Sequence, residues 1–220
     1  MANRARPVLL TALLSGAALA GYVAFRLSVG PSPDAPGSPQ TLHFGEDPNA
    51  SDEHDDDDDS PTQLADTLPE FSLDTLAGTQ QSIASWPGKP LLINFWATWC
   101  GPCLHEIPML KQLQTRHTDL QVVGIAVDKR EAVVGFAANM QFNYPILIGE
   151  TGGWDAAAAF GVHVYALPFT VFTAPNGAVL GVHTGELHPE HLDNFAAVLQ
   201  DLRAGKIDVA TARARIAGRI

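Results

Sequence analysis

The stretch PLLINFWATWCGPCLHEIPML, Pro90 to Leu110, decides the reading of this chain and contains both of its cysteines. Its first part, Pro90 to Ala97, is an apolar run of strand length, the kind found in the middle of a sheet covered on both faces. Its second part, from Cys100 to about His117, has helical spacing, with Leu104, Ile107, Leu110, Leu113 and Gln114 at intervals of three and four. The cysteines therefore sit where a buried strand turns into a helix. Cys100 falls at the helix N-terminus and Cys103, three residues on, lies on the same face. Unpaired N–H groups and the positive end of the helix dipole favour a thiolate there, the attacking form of sulfur. Gly101 and Pro102 suit the first turn, because proline lacks a donor that would go unpaired anyway. Cα atoms three residues apart in a helix are about 5–5.5 Å distant, within the range of a disulfide, so the pair can open and close with little backbone movement.

Two thiols can also bind metal or staple a loop. Tetrahedral structural zinc wants four ligands, and this chain has no further cysteines. His105 is five positions beyond Cys100 and points to another side of the helix. A structural staple closing so small a loop gains little, since chain-closure stabilisation grows with loop length. The strand-to-helix context points to redox use, with no metal and no cofactor other than the Cys100–Cys103 pair itself.

Outward from this segment the pattern alternates strand and helix. Glu70–Leu76 and Gln80–Ile83 read as a hairpin around Ala77-Gly78. Gln121–Val127 reads as a buried strand, Glu131–Met140 as a helix, Pro145–Gly149 as a short strand and Trp154–Phe160 as a helix. Phe169–Ala174 and Ala178–Thr184 flank Pro175-Asn176-Gly177, where Asn-Gly is expected to supply positive φ angles. His188–Leu202 closes the domain, with Pro189 in its first turn. This is a layered α/β domain. By strand alternation Trp96 packs in or beside the core, whereas Trp99 lies on the loop and is expected to cover the cysteines. His163, His183, His188 and His191 show no ligand spacing and read as surface or satisfied core residues.

The formal charge of -11 is unevenly placed. Nine of the 24 acidic residues lie between Glu46 and Asp59, and from Ser60 onward 14 acids face 10 bases. The domain is thus only mildly acidic, and without a basic stripe it is not expected to bind nucleic acid. At the N-terminus, Arg4 and Arg6 precede an uncharged run of 18 residues, Val8 to Phe25. A spanning helix needs about 20 apolar residues and a cleavable signal core about 7–15. The length favours an uncleaved anchor over residues 1–29 with the basic end cytoplasmic, while Ala18-Leu19-Ala20 offers a cleavage site as the alternative. Either form is expected to export the domain. Residues 30–64 read as a proline- and glycine-rich spacer leading into a self-repelling acidic run. Residues 65–204 form the domain, and the tail 205–220 is either a short packed helix or a disordered basic end.

NFWATWCGPC resembles the thioredoxin superfamily, and WCGPCLHEIPML is similar to the membrane-anchored, extracytoplasmic TlpA/ResA-like thiol–disulfide oxidoreductases. The resemblance covers about Leu68 to Leu202. It implies a thioredoxin-like fold, a central mixed β-sheet flanked by helices, with an N-terminal β-hairpin and an α/β insertion at Asp128–Gly149. It implies Cys100 as the exposed nucleophile and Cys103 as the buried resolving thiol. Asn94 stands where cytosolic thioredoxins have a buried aspartate. Glu106 matches a glutamate of the TlpA-like motif and is expected beneath the pair as a proton acceptor and donor; the alternative is an exposed helical carboxylate. Pro108 lies inside the helix pattern and is expected to kink it. Pro168 aligns with the proline these folds keep cis, which presents the backbone of Leu167 to an extended substrate segment. Trp99, Gly101, Pro102, Leu167 and Pro168 are then the substrate-binding positions. The flanking Leu167 and Phe169 are bulkier than is usual there, which bears on substrate choice.

The resemblance further implies a protein-disulfide reductase, since Gly101-Pro102 matches the dipeptide of reducing thioredoxins. Its clients would be disulfide-containing proteins such as apocytochrome c, cytochrome maturation factors or copper-site assembly factors. A transmembrane thiol–electron transporter would supply electrons to a monomer held at the bacterial inner membrane, catalytic domain in the periplasm. The competing readings are a thiol oxidase or isomerase of the same fold, and a metallochaperone holding copper through the two thiols. A peroxidase is disfavoured, because no Thr-x-x-Cys spacing precedes Cys100.

Overall fold

A computed structural model describes residues 63–163 and 165–218. The apolar run Val8–Phe25 and the acidic tract fall outside them. Among the described residues no helix is long and apolar enough to cross a membrane.

Strand β3 (Leu91–Trp96) is buried at every position and is an interior strand of a seven-stranded sheet, next to its central strand. Its parallel neighbour is β4 (Gln121–Ala126), which pairs in parallel with β5 (Ile146–Ile148). The first two of these strands read as continuous apolar runs because helices cover both faces of the sheet. On the other side of β3 lie antiparallel β6 (Phe169–Thr173) and β7 (Val179–Thr184). The hairpin of β1 (Ser72–Thr75) and β2 (Gln80–Ser82) completes the far edge through β1 and β5, giving the order β2-β1-β5-β4-β3-β6-β7. The helices are α1 (Gly101–Arg116), α2 (Arg130–Met140), α3 (Gly152–Ala159), α4 (Pro189–Arg203) and α5 (Val209–Ala217). This is the expected thioredoxin-like α/β architecture, a mixed sheet between helices. The segment Asp128–Gly149 contains α2 and β5, and β5 slots between the N-terminal hairpin and β4.

Strand alternation divides the core into two layers. Leu92 and Trp96 face the layer containing Ile107, Leu110 and Leu113 of α1 and Leu192, Phe195 and Leu199 of α4. Leu91, Ile93 and Phe95 face the other, with Ala156 and Ala157 of α3 and Phe160. Each fully buried Leu, Ile or Phe contributes about 1.5–3 kcal/mol of transfer free energy. Trp96 is indeed core, with ring centroids of Phe136 and Phe142 each 5.5 Å away.

Two local expectations need adjustment. In the β6–β7 connection only Gly177 takes a positive φ, +82°; Asn176 does not. The Gly177 N–H donates to the Ala174 carbonyl. The three-residue connection therefore uses a tight turn led by Pro175 and closed by one left-handed glycine, instead of the two-residue Asn-Gly turn. Of the two alternatives for the tail, the structure shows a helix. The Asp208 carboxylate caps α5 at the Thr211 N–H (2.8 Å), and Ala212 and Ile216 are buried in the same layer as α1 and α4.

Candidate active site

The turn from β3 into α1 is fixed before the helix starts. The Cys100 N–H donates to the Ala97 carbonyl at 3.2 Å, and the Val127 N–H donates to the Trp96 carbonyl at 2.8 Å. One oxygen of Asp128 accepts both the Thr98 N–H, at 3.0 Å, and the Thr98 hydroxyl. Cys100 comes next as the N-cap, with extended backbone (φ -87°, ψ 100°), and its sulfur accepts the Cys103 N–H at 3.3 Å. Pro102 sits in the first turn, where no N–H is missed. The two sulfurs are bonded to each other, with Cα atoms 5.3 Å apart, the separation anticipated for helical i and i+3.

Cys103 is fully buried, as expected. Cys100, expected to be exposed, is only 5% accessible. In the disulfide its sulfur is spent on Cys103 and on the cap, so only an edge of the residue reaches solvent. Trp99, expected to cover the pair, is 69% exposed. With its backbone drawn into the turn clamped by Asp128, its ring is left as an apolar surface beside Cys100. Gly101 and Pro102 are exposed beside it.

Glu106, three residues past Cys103, is the unusual group. It is 1% exposed, so the alternative of a solvated helical carboxylate is excluded. Asn94 Nδ2 donates to Glu106 Oε2 at 2.9 Å and to Thr170 Oγ1 at 3.0 Å. The Leu187 N–H donates to Glu106 Oε1. Burial pushes the Glu106 carboxyl up to about 7; the Leu187 and Asn94 donors partly oppose this, and the nearby Glu186 charge adds to it. Near neutrality the group can therefore hold or release a proton. On the same helical face as Cys103, it is suited to exchange one with that thiol.

The Leu167–Pro168 peptide is cis. Register fixes its place: Phe169 pairs with Phe95, so the cis peptide lies level with the end of β3 from which the cysteine turn departs. Pro168 is buried and Leu167 half-buried. The exposed Tyr165 ring lies 5.4 Å from that of Trp154. Among the described residues, no three His, Cys, Asp or Glu side chains are grouped to hold a metal ion.

Sequence reasoning missed Thr170, Leu187 and Asp128. A signal existed for Thr170: Asn94 and Thr170 are the polar residues set inside two apolar strands, and they turn out to be direct cross-strand partners. Leu187 contributes only its backbone, 81 residues from Glu106, so no residue type could announce it.

The Redoxin family profile matches residues 63–199. The chain is 35% identical over 130 residues to the thioredoxin-like protein YneN of Bacillus subtilis, covering 57% of this chain and 74% of that protein. It is 29% identical over 133 residues to the thiol-disulfide oxidoreductase ResA of Halalkalibacterium halodurans, covering 59% and 73%. Among solved structures, a thiol:disulfide interchange protein of the thioredoxin family from Chlorobium tepidum aligns with a TM-score of 0.53 and 27% identity, over 63% of this chain and 95% of that one. With the disulfide at the cap of α1 and the cis proline beside it, these likenesses agree: the chain belongs to the Redoxin family and is a thioredoxin-fold protein of the TlpA/ResA-like kind.

Proposed function

We propose that this thiol–disulfide oxidoreductase works outside the cytoplasm as a reductant of disulfides in partner proteins. The observation that carries the reading is the Cys100–Cys103 disulfide seated on the N-cap of α1, with a buried carboxyl able to exchange a proton near pH 7 on the same face. In the reduced protein the cap amides and the helix dipole favour the Cys100 thiolate. That thiolate attacks one sulfur of a client disulfide. A Cys100–client bond forms, and the other client sulfur leaves as a thiolate that takes up a proton. Glu106, ionised, accepts the proton of Cys103, and the Cys103 thiolate attacks the Cys100 sulfur. The Cys100–Cys103 bond forms as the mixed disulfide breaks, and the second client sulfur leaves and is protonated. Two electrons have passed to the client.

The exposed Trp99, Gly101 and Pro102, with the Leu167 backbone ahead of the cis proline, form the rim against which an extended client segment would lie. The Gly101-Pro102 dipeptide favours the reducing direction. The likeness to ResA, with the basic-then-apolar N-terminus, supports a domain held at the bacterial inner membrane and facing the periplasm. There a transmembrane thiol–electron transporter would re-reduce it as a monomer. Apocytochrome c, cytochrome maturation factors and copper-site assembly factors are the client classes in view.

The test uses the full chain and a disulfide-containing peptide. Cys103→Ala should accumulate a stable mixed disulfide through Cys100, whereas Cys100→Ala should form none. A folded Cys103→Ala protein that forms no adduct would overturn the mechanism.

A further inference from the structure

The connection Gly185–His188, between β7 and α4, makes a bond at each of its four residues. The Gly185 N–H, at φ +104°, donates to the Pro168 carbonyl at 2.9 Å. The Glu186 carboxylate lies 3.5 Å from His105 Nδ1 on α1. The Glu186 carbonyl oxygen lies 3.1 Å from His183 Nε2. The Leu187 N–H donates to Glu106, and the His188 N–H donates to His191 Nδ1 at 3.0 Å. The Glu186 carbonyl and the Leu187 N–H belong to one peptide plane. That plane is gripped at both ends, its oxygen by His183 and its N–H by Glu106. A carbonyl requires a donor, so His183 carries its proton on Nε2. The next N–H requires an acceptor, which leaves His191 Nδ1 bare. The two imidazoles pack with ring centroids 4.3 Å apart, and the His188 ring lies 5.5 Å from that of His191. Glu190 on α4 and His188 and Glu186 on the connection are the other titratable groups about them, with His105 beyond Glu186.

We propose that His183 and His191 are positioning residues for Glu106. By holding the Glu186–Leu187 peptide and the His188 N–H next to it, they keep the one backbone donor of the site aimed at its carboxylate. The inference rests on the reading of Glu106 as the proton-exchanging group. A hydrogen bond to the carboxylate favours the ionised form, so releasing the peptide raises the proton affinity of Glu106.

The experiment tracks the Glu106 carboxyl by carbon-13 NMR as pH is varied in the oxidised full chain. Replacing both histidines by alanine should raise its midpoint by about one pH unit, tenfold in the ratio of protonated to ionised form. His183→Gln with His191→Asn, which set an amide nitrogen near Nε2 and an amide oxygen near Nδ1, should return it to within about twofold of the parent ratio. His183→Ala alone, the milder change, should shift it in the same direction and serves if the double alanine variant does not fold. An unmoved midpoint in a folded alanine variant, or no recovery with Gln and Asn, overturns the proposal. The readout is protonation, not turnover. A Glu106 that responds as stated yet proves dispensable for disulfide exchange would defeat the proposed mechanism and leave the positioning intact.

Discussion

On one face of β3, Leu91, Ile93 and Phe95 join a layer of apolar side chains. On the other face, Leu92 and Trp96 flank Asn94, whose amide bridges Glu106 and Thr170. Both faces are buried at 2% accessibility or less, yet they are built differently. The first gains transfer free energy at every position. The second gives up part of that gain to house a carboxyl in a dry layer, and meets the cost of burial with donors on both carboxylate oxygens. One strand thus separates what holds the fold together from what makes it reactive, by the period-2 geometry of its backbone.

The largest effect should come from the apolar face. Phe95 stacks on Phe169 with ring centroids 4.2 Å apart and is fully buried. Phe95→Ala should destabilise the domain by about 3–5 kcal/mol in denaturant unfolding. The redox equilibrium against glutathione should move by less than about 15 mV, a factor of about three. A large change in potential would erase the distinction between the faces.

The next effect belongs to the polar face and depends on pH. The Glu106 carboxyl is raised in the folded state from 4.5 to about 7. The folded chain therefore binds more protons than the unfolded chain between those values, and stability falls as pH rises through that window. The shift corresponds to about 3 kcal/mol, present below pH about 4.5 and lost above about 7. Glu106→Gln should flatten this dependence, so that the variant gains on the parent from pH 4 to pH 8. Parallel stability curves for the two proteins would show that Glu106 is not desolvated as described.

The strand-to-helix segment is legible in the sequence because its signals are local. An apolar run bounded by Pro90, a cysteine pair three apart and Pro102 in the first turn each act within a few residues. The positions of Trp96 and of the cis Pro168 are reached by alternation and by resemblance. What stays hidden depends on contacts far along the chain. The sequence leaves Glu106 open between a buried and a solvated carboxyl, and it is the return of Leu187 and the strand pairing of Thr170 with Asn94 that decide it. His188 and His191, three apart, meet locally at the start of α4, but His183 reaches them from β7, and nothing in the residues around it announces that contact. The role of Cys100 suggests an exposed sulfur; the bonded sulfur instead turns inward against the cap. The Asn176 expectation fails because Pro175 adds a third residue to the turn, which moves the left-handed position to Gly177 alone.

The central claim is that the cap of α1 makes Cys100 acidic. It is tested most directly by titrating the thiolate absorbance of the Cys103→Ala full chain, in which Cys100 is the one remaining thiol. A midpoint below about 7.5 is predicted, as for thiols at helix N-termini. A midpoint at or above about 8.5, the value of an ordinary free cysteine, would contradict the account.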